Sequence, residues 1–292
     1  ENNKKNEREK MQNETIAIHA GYNKKEGYGT MSVPISQTTA YAFRDSEHAA
    51  NLFALKELGP IYTRLNNPTT DVLEQRFAAL EGGAAAICTS SGQAASFYAI
   101  ANVAEAGDNI LISDKLYGGS VTLLTYTMKR FGITAKVFKS DDASDLESLI
   151  DDKTKAIYFE SLSNPQIAIP DVEKVVEIAK KHGVLTICDN TVASAALFNP
   201  IKWGVDVVVH STSKYTNGQG TAIGGIVVER DGLAEFFKAN SNRYSHFTTP
   251  DESYHGLVYT DVPLPNFCLR IRLSLLRDIG AVPAPFNSWL LI

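Results

Sequence analysis

The sequence predicts an α/β fold in which a mostly parallel sheet is covered by helices on both faces. Three observations predict it. From residue 84 to residue 209, short and continuous apolar runs alternate with helix-length amphipathic segments. Strands that read as unbroken apolar runs are buried on both faces, and helices between them mean right-handed crossovers. The 292 residues hold enough chain for one large core, with no internal repeat and no low-complexity linker.

Taken in order, residues 1–10 are almost wholly polar and charged, and read as a disordered extension or an expression remnant. Residues 11–66 form an N-terminal arm, where Gly21, Gly27, Gly29, Pro34 and Pro60 interrupt any periodicity, so the arm must lean on another surface. Regular structure starts at Asn67-Pro68-Thr69-Thr70, where a hydroxyl N-cap precedes an amphipathic helix through Leu73, Phe77 and Leu80, stopped by Gly82-Gly83. Strands are then expected at 84–88, 109–112, 134–138, 156–159, 184–187 and 205–209. Helices are expected at 93–104, 120–131, 144–150 and 172–181. A last strand at 223–228 follows a short glycine-rich connection, which suits an antiparallel placement. Residues 67–260 thus make the α/β domain, and residues 261–292 begin a second, truncated one. There a helix at 267–279 is followed by an apolar run, 286–292, without a cap, as in a chain that ends inside a helix.

Composition excludes several classes of function. A formal charge of −5 gives no footprint for nucleic acid or an anionic membrane. Cys88, Cys188 and Cys268 are an odd number without CxxC spacing, which suits a reducing compartment and neither a disulfide framework nor zinc. No apolar run is long enough to span a bilayer, and no signal peptide opens the chain, so a cytoplasmic enzyme is expected.

In a parallel sheet, ligands bind outside the carboxyl ends of the strands, and that rule gathers the candidate residues. Lys214 follows the apolar strand Val205 to Val209 within Ser211-Thr212-Ser213-Lys214. A partly desolvated lysine there is a nucleophile able to form a Schiff base with a carbonyl cofactor; the plain alternative is a solvated loop lysine. Ser91-Gly92-Gln93 opens a helix, where small residues and free N–H groups suit an anion such as phosphate, although serine before glycine is also an ordinary cap. Tyr117-Gly118-Gly119 offers a ring for stacking or a plain turn tyrosine, and Asn164-Pro165 a polar contact or a plain turn. Asp189, ahead of Asn190-Thr191, is costly to bury without a positive partner, and a protonated pyridine nitrogen is such a partner. An anion cradle, a tyrosine, an aspartate and a lysine on successive strand ends together describe a site for pyridoxal 5'-phosphate (PLP).

The set Tyr62-Thr63-Arg64-Leu65-Asn66-Asn67-Pro68-Thr69, Ser90-Ser91-Gly92, Tyr117-Gly118-Gly119, Glu160 to Pro165, Asp189-Asn190-Thr191 and Ser211 to Lys214 resembles the PLP enzymes of cysteine and methionine metabolism. The resemblance runs from about Thr15 to the last residue. It implies the PLP-dependent transferase fold type I, like aspartate aminotransferase. It implies that Lys214 carries the cofactor, Asp189 meets the ring nitrogen and Tyr117 stacks on the ring and serves as acid or base. Ser91, Gly92, Gln93, Ser211 and Ser213 would hold the phosphate, with Thr191 beside them, and Asn164 the ring hydroxyl or the substrate. Tyr62 and Arg64 would reach the neighbouring subunit's phosphate site in a homo-oligomer, a dimer of dimers. Arg64 to Arg76 and Pro250 to Gly256 look like the O-acetylhomoserine sulfhydrylase branch, which joins an amino-acid ester to a sulfur donor. The rivals are the synthases and γ-lyases of the same family, or a non-catalytic PLP or nucleotide-binding module. The arginine that usually binds the substrate carboxylate has no match here.

Overall fold

The computed structural model describes residues 11–25 and 29–292; the expected extension over 1–10 and Gly27 lie outside them. The strands are β1 (Ala85–Thr89), β2 (Asn109–Ser113), β3 (Thr134–Phe138), β4 (Thr154–Glu160), β5 (Leu185–Asp189), β6 (Val207–His210) and β7 (Gly225–Glu229). They form one sheet in the order β1-β7-β6-β5-β4-β2-β3. All neighbours are parallel except β7, which runs antiparallel between β1 and β6. The antiparallel placement expected for the last strand is therefore correct, and the sheet is mostly parallel.

The unbroken apolar runs arise because each strand feeds two cores. Ile87, Ile112, Tyr158, Ile187, Val209 and Val227 enter one, while Cys88, Leu111, Phe159, Cys188, Val208 and Val228 enter the other. Helices close both faces. Gly92–Ala101 and Asn266–Ile271 pack on the first core, and Pro68–Glu81 and Val172–His182 on the second.

Several expectations need correction in detail. Pro68–Glu81 is capped by the Asn67 amide oxygen, which accepts the Thr69 N–H at 3.0 Å, not by a threonine hydroxyl. Its end is as read: Gly82 takes the left-handed conformation at φ 75°. The helix expected at 93–104 ends at Ala101. The one expected at 120–131 starts earlier as Gly118–Thr122, widens into a π-turn at Leu123–Thr127 and tightens into a 3₁₀ turn at Met128–Phe131. The apolar helix at 267–279 likewise contains a π-turn at Arg272–Leu276. The helix at 144–150 is a single turn, Leu146–Leu149. The arm is less irregular than its sequence suggests, with short helices at Asn13–His19 and Ser46–Phe53. It leans on its own chain, since Ile16, Val33 and Leu52 are buried and Arg76 Nε donates to the Ala20 carbonyl at 3.0 Å. The final helix, Pro285–Leu290, closes before the last two residues, and Leu291 and Ile292 pack against the core. No described helix is long and apolar enough to cross a membrane.

Candidate active site

Five strands deliver their carboxyl ends to one cavity of about 720 Å³. β1 delivers Ser91, Gly92 and Gln93; β2 delivers Tyr117; β4 delivers Glu160 and Asn164; β5 delivers Asp189 and Thr191; the turn after β6 delivers Ser211, Ser213 and Lys214. Ten of the residues singled out from sequence therefore line a single space. Tyr62 and Arg64 do not: both are exposed on the arm, with the Arg64 guanidinium 5.1 Å from the Tyr62 ring centre.

The turn after β1 meets the turn after β6 because two glycines let them. A Cβ on Gly92 would stand 2.5 Å from Ser211 Cβ and 2.8 Å from its Cα, and one on Gly225 would stand 2.2 Å from the Ser91 carbonyl oxygen. Ser91 caps the helix Gly92–Ala101, its hydroxyl accepting the Ala94 N–H at 3.1 Å and its carbonyl the Ala95 N–H. The N–H groups of Gly92 and Gln93 have no acceptor among the described residues and remain available to a ligand. Ser91 is thus a cap, and the free N–H groups ahead of it leave room for the anion-binding reading as well. Ser211 is fixed by its own N–H, given to Thr191 Oγ1 at 2.8 Å, and the Ser213 hydroxyl spans the Gly224 carbonyl and N–H.

On the other side, Tyr117 is half exposed and lies against Gly119, where a Cβ would come within 2.5 Å of the ring. Asp189 is held at both oxygens: Oδ1 accepts the Thr191 N–H at 3.0 Å and Oδ2 the Tyr158 hydroxyl at 3.2 Å. Tyr158 is fully buried and also bonds the Ser96 hydroxyl at 2.9 Å; burial, then the Asp189 charge, raise its pKa well above the phenolic range, so it stays a neutral donor. Lys214 was expected to be partly desolvated. Its side chain is instead exposed at the cavity, and its amine has no ion pair or hydrogen bond among the described residues.

Glu160 was missed as a site residue. It is buried at the end of β4, in register with Asp189 on β5. Burial first, and the Asp189 charge second, raise its pKa to about 7. The apolar strand ahead of it was a signal that it shared with Asp189, but the partners that make it informative lie in loops.

The donor set fits PLP. One end of the cavity offers hydroxyls and free N–H groups for a phosphate, the other a braced carboxylate for a protonated ring nitrogen, and a free amine lies on the same wall. The residue pattern alone leaves the family open. A profile of the family "Cys/Met metabolism PLP-dependent enzyme" matches residues 14–292. The chain belongs to this family. It is 48% identical over 277 residues to a sulfhydrylase of Fusarium oxysporum f. sp. lycopersici, covering 94% of this chain and 64% of that protein. It is 45% identical to the O-acetyl-L-homoserine sulfhydrylase of Leptospira meyeri, with the same coverage of 94% and 64%. The chain thus spans 64% of the length of these relatives. Among solved structures, a putative O-acetylhomoserine (thiol)-lyase from Campylobacter jejuni superposes with a TM-score of 0.94 at 54% identity, covering 96% of this chain and 69% of that one. That protein carries a pyridoxyl-lysine monophosphate. The family is PLP-dependent, and the α/β fold described above is the one shared with such neighbours.

Proposed function

We propose that the protein is an O-acetylhomoserine sulfhydrylase, a PLP-dependent transferase of methionine biosynthesis. It would exchange the γ-acetate of O-acetylhomoserine for sulfide or a thiol, releasing acetate and homocysteine or methionine. The observation that carries this reading is the convergence of Lys214, Asp189 and the Ser91–Gln93 turn on one cavity, in a chain whose relatives bear sulfhydrylase names at 45% and 48% identity.

PLP supplies, when bound, an electrophilic carbonyl carbon and a ring that withdraws electrons from the attached amino acid. Lys214 would hold the carbonyl carbon, and its amine, when free, would take the substrate's α-proton and pass a proton at the β-carbon. Asp189 keeps a proton on the ring nitrogen, with Thr191 and Tyr158 orienting it. Gly92 and Gln93 N–H groups with Ser91, Ser211 and Ser213 hold the phosphate. Tyr117 would cover the ring and be the acid or base at the leaving group, and Asn164 would contact the ring hydroxyl or the substrate.

Lys214 is the sole lysine or arginine among the described residues lining the cavity, so among them a dianionic phosphate meets no other cationic side chain. That supports a homo-oligomer, a dimer of dimers, in which the exposed Tyr62 and Arg64 of one copy reach the cavity of the next. The reducing-compartment reading of the buried, unpaired cysteines supports a cytoplasmic setting.

The test uses the full-length protein with O-acetylhomoserine plus sulfide, against methionine alone. Homocysteine and acetate in the first arm are expected. Ammonia and a keto acid from methionine alone, with no exchange in the first arm, would make it a γ-lyase instead.

A further inference from the structure

We propose that Glu160 is a positioning residue that sets the stance of Tyr117 and Asn164 in the cavity by accepting one backbone N–H from each. The proposal rests on the reading of the cavity as a PLP site. Tyr117 belongs to the loop after β2 and Asn164 to the loop after β4, and no backbone hydrogen bond joins those loops among the described residues. The Glu160 carboxylate does join them: Oε1 accepts the Tyr117 N–H at 2.6 Å, and Oε2 accepts the Asn164 N–H at 3.0 Å. A backbone N–H tied to a buried, fixed acceptor restrains the orientation of its own residue, and hence the direction in which the side chain leaves it. The ring of Tyr117 is half exposed and lies over Gly119, and such a restraint helps it present one face to a ligand.

The bridge requires two acceptor oxygens, which an ionised carboxylate has. An amide has one, and meets the second N–H with a donor. A protonated carboxyl weakens one arm in the same way. Several groups face the carboxylate. Asp189 stands beside it on β5, Cys188 and Tyr158 are the nearest buried titratable groups on β5 and β4, and Lys214 and Tyr117 line the same cavity from the turns after β6 and β2. Burial and Asp189 favour the protonated form, while the two N–H groups oppose it, leaving a pKa of about 7. The bridge is therefore intact above that pH and loosens below it.

Amide hydrogen exchange on the full-length protein, with and without PLP, tests this in wild type, Glu160→Gln and Glu160→Ala. Corrected for the intrinsic pH dependence, exchange at Tyr117 and Asn164 is expected to rise by about tenfold or more in E160Q, the effect of losing one charge-assisted bond. The rise should be confined to the two loops. Wild-type protection there should fall as the pH passes down through about 7, and E160Q should show no such step. In the loaded protein, the visible circular dichroism per bound cofactor should drop in both variants. Unchanged exchange at both loops overturns the proposal, and so does an equal rise along β4 and β5 with a lowered melting temperature, which marks a merely structural carboxylate. Loop protection that depends on Glu160 in a protein that takes up no PLP upholds the bridge and removes the cofactor reading.

Discussion

Replacing Gly92 by alanine should separate the two halves of the anion cradle. The added Cβ would stand 2.5 Å from Ser211 Cβ and 2.8 Å from Ser211 Cα. Carbon atoms rest at about 3.5–4.0 Å, so the turns after β1 and β6 must part by roughly 1 Å. The Cα is backbone, so no side-chain rotation relieves the clash. Overpacking of this kind costs about 1–3 kcal/mol. If the turns relax apart in the free protein and must be pressed together to close on the phosphate, that strain is lost from binding, weakening PLP affinity by about 5- to 150-fold. The natural control is Gly118→Ala. Nothing lies within 4 Å of its Cβ position, its φ is not positive, and it opens the helix Gly118–Thr122. There, alanine should leave PLP binding alone and stabilise the fold by about 0.4–1 kcal/mol through the unfolded chain. Equilibrium dialysis of PLP against full-length wild type, G92A and G118A, with thermal unfolding of the cofactor-free forms, reads both effects. A G92A protein that binds PLP as tightly as wild type refutes the reasoning that these turns form the cradle by close approach.

Three further outcomes follow from the site and its surroundings. Lys214→Ala should abolish turnover, the visible absorption of bound PLP and the borohydride-stable adduct; turnover that persists without added amine contradicts the assigned role. Arg64→Ala alone should bind PLP weakly, yet co-assembled with K214A chains it should regain sites that combine an intact Lys214 with a neighbour's Arg64, and size analysis of the same mixtures reports the oligomer. If mixtures stay as inactive as their parents, Arg64 does not act across an interface. His246 is half-buried, and desolvation followed by the Arg270 charge lowers its pKa from 6.5 to about 3. The unfolded state therefore binds the extra proton between those values. Stability is full above about pH 6.5 and falls by up to about 1.4 kcal/mol per pH unit toward pH 3. Denaturant titrations of wild type and His246→Gln should show a shallower acid decline in the variant.

The sheet was legible because strands buried on both faces leave a one-dimensional trace. Ile110, Leu111 and Ile112 are apolar in a row, since neighbours go to opposite apolar cores. The strand-end rule then located Asp189 and Lys214 without knowledge of distance. What escaped is non-local or irregular. Each π-turn, at Leu123–Thr127 and Arg272–Leu276, adds a residue per turn without altering composition, so a period-based reading runs straight through it. The helix Ser46–Phe53 carried a signal that the glycines and prolines around it obscured: Asp45 accepts the His48 N–H at 2.7 Å as its cap. Glu160 escaped because a carboxylate declares its role through partners, and one of these lies 43 residues away. The exposure of Lys214 was equally hidden, because a turn's sequence does not say how much of its neighbourhood the rest of the chain covers.

The reversed strand β7 also sets an order of events during synthesis. β1 pairs with no strand but β7 among the described residues, and Gly225, the first residue of β7, lies against the Ser91 carbonyl. A chain emerging from its N-terminus has the Ser91 turn early and the Lys214 turn late, yet the two cannot be held together until β7 slides between β1 and β6. Under the proposed function, cofactor capture is thus deferred to the end of the domain's assembly. A nascent chain that has already exposed Lys214 still lacks the turn to which the proposed function assigns the phosphate.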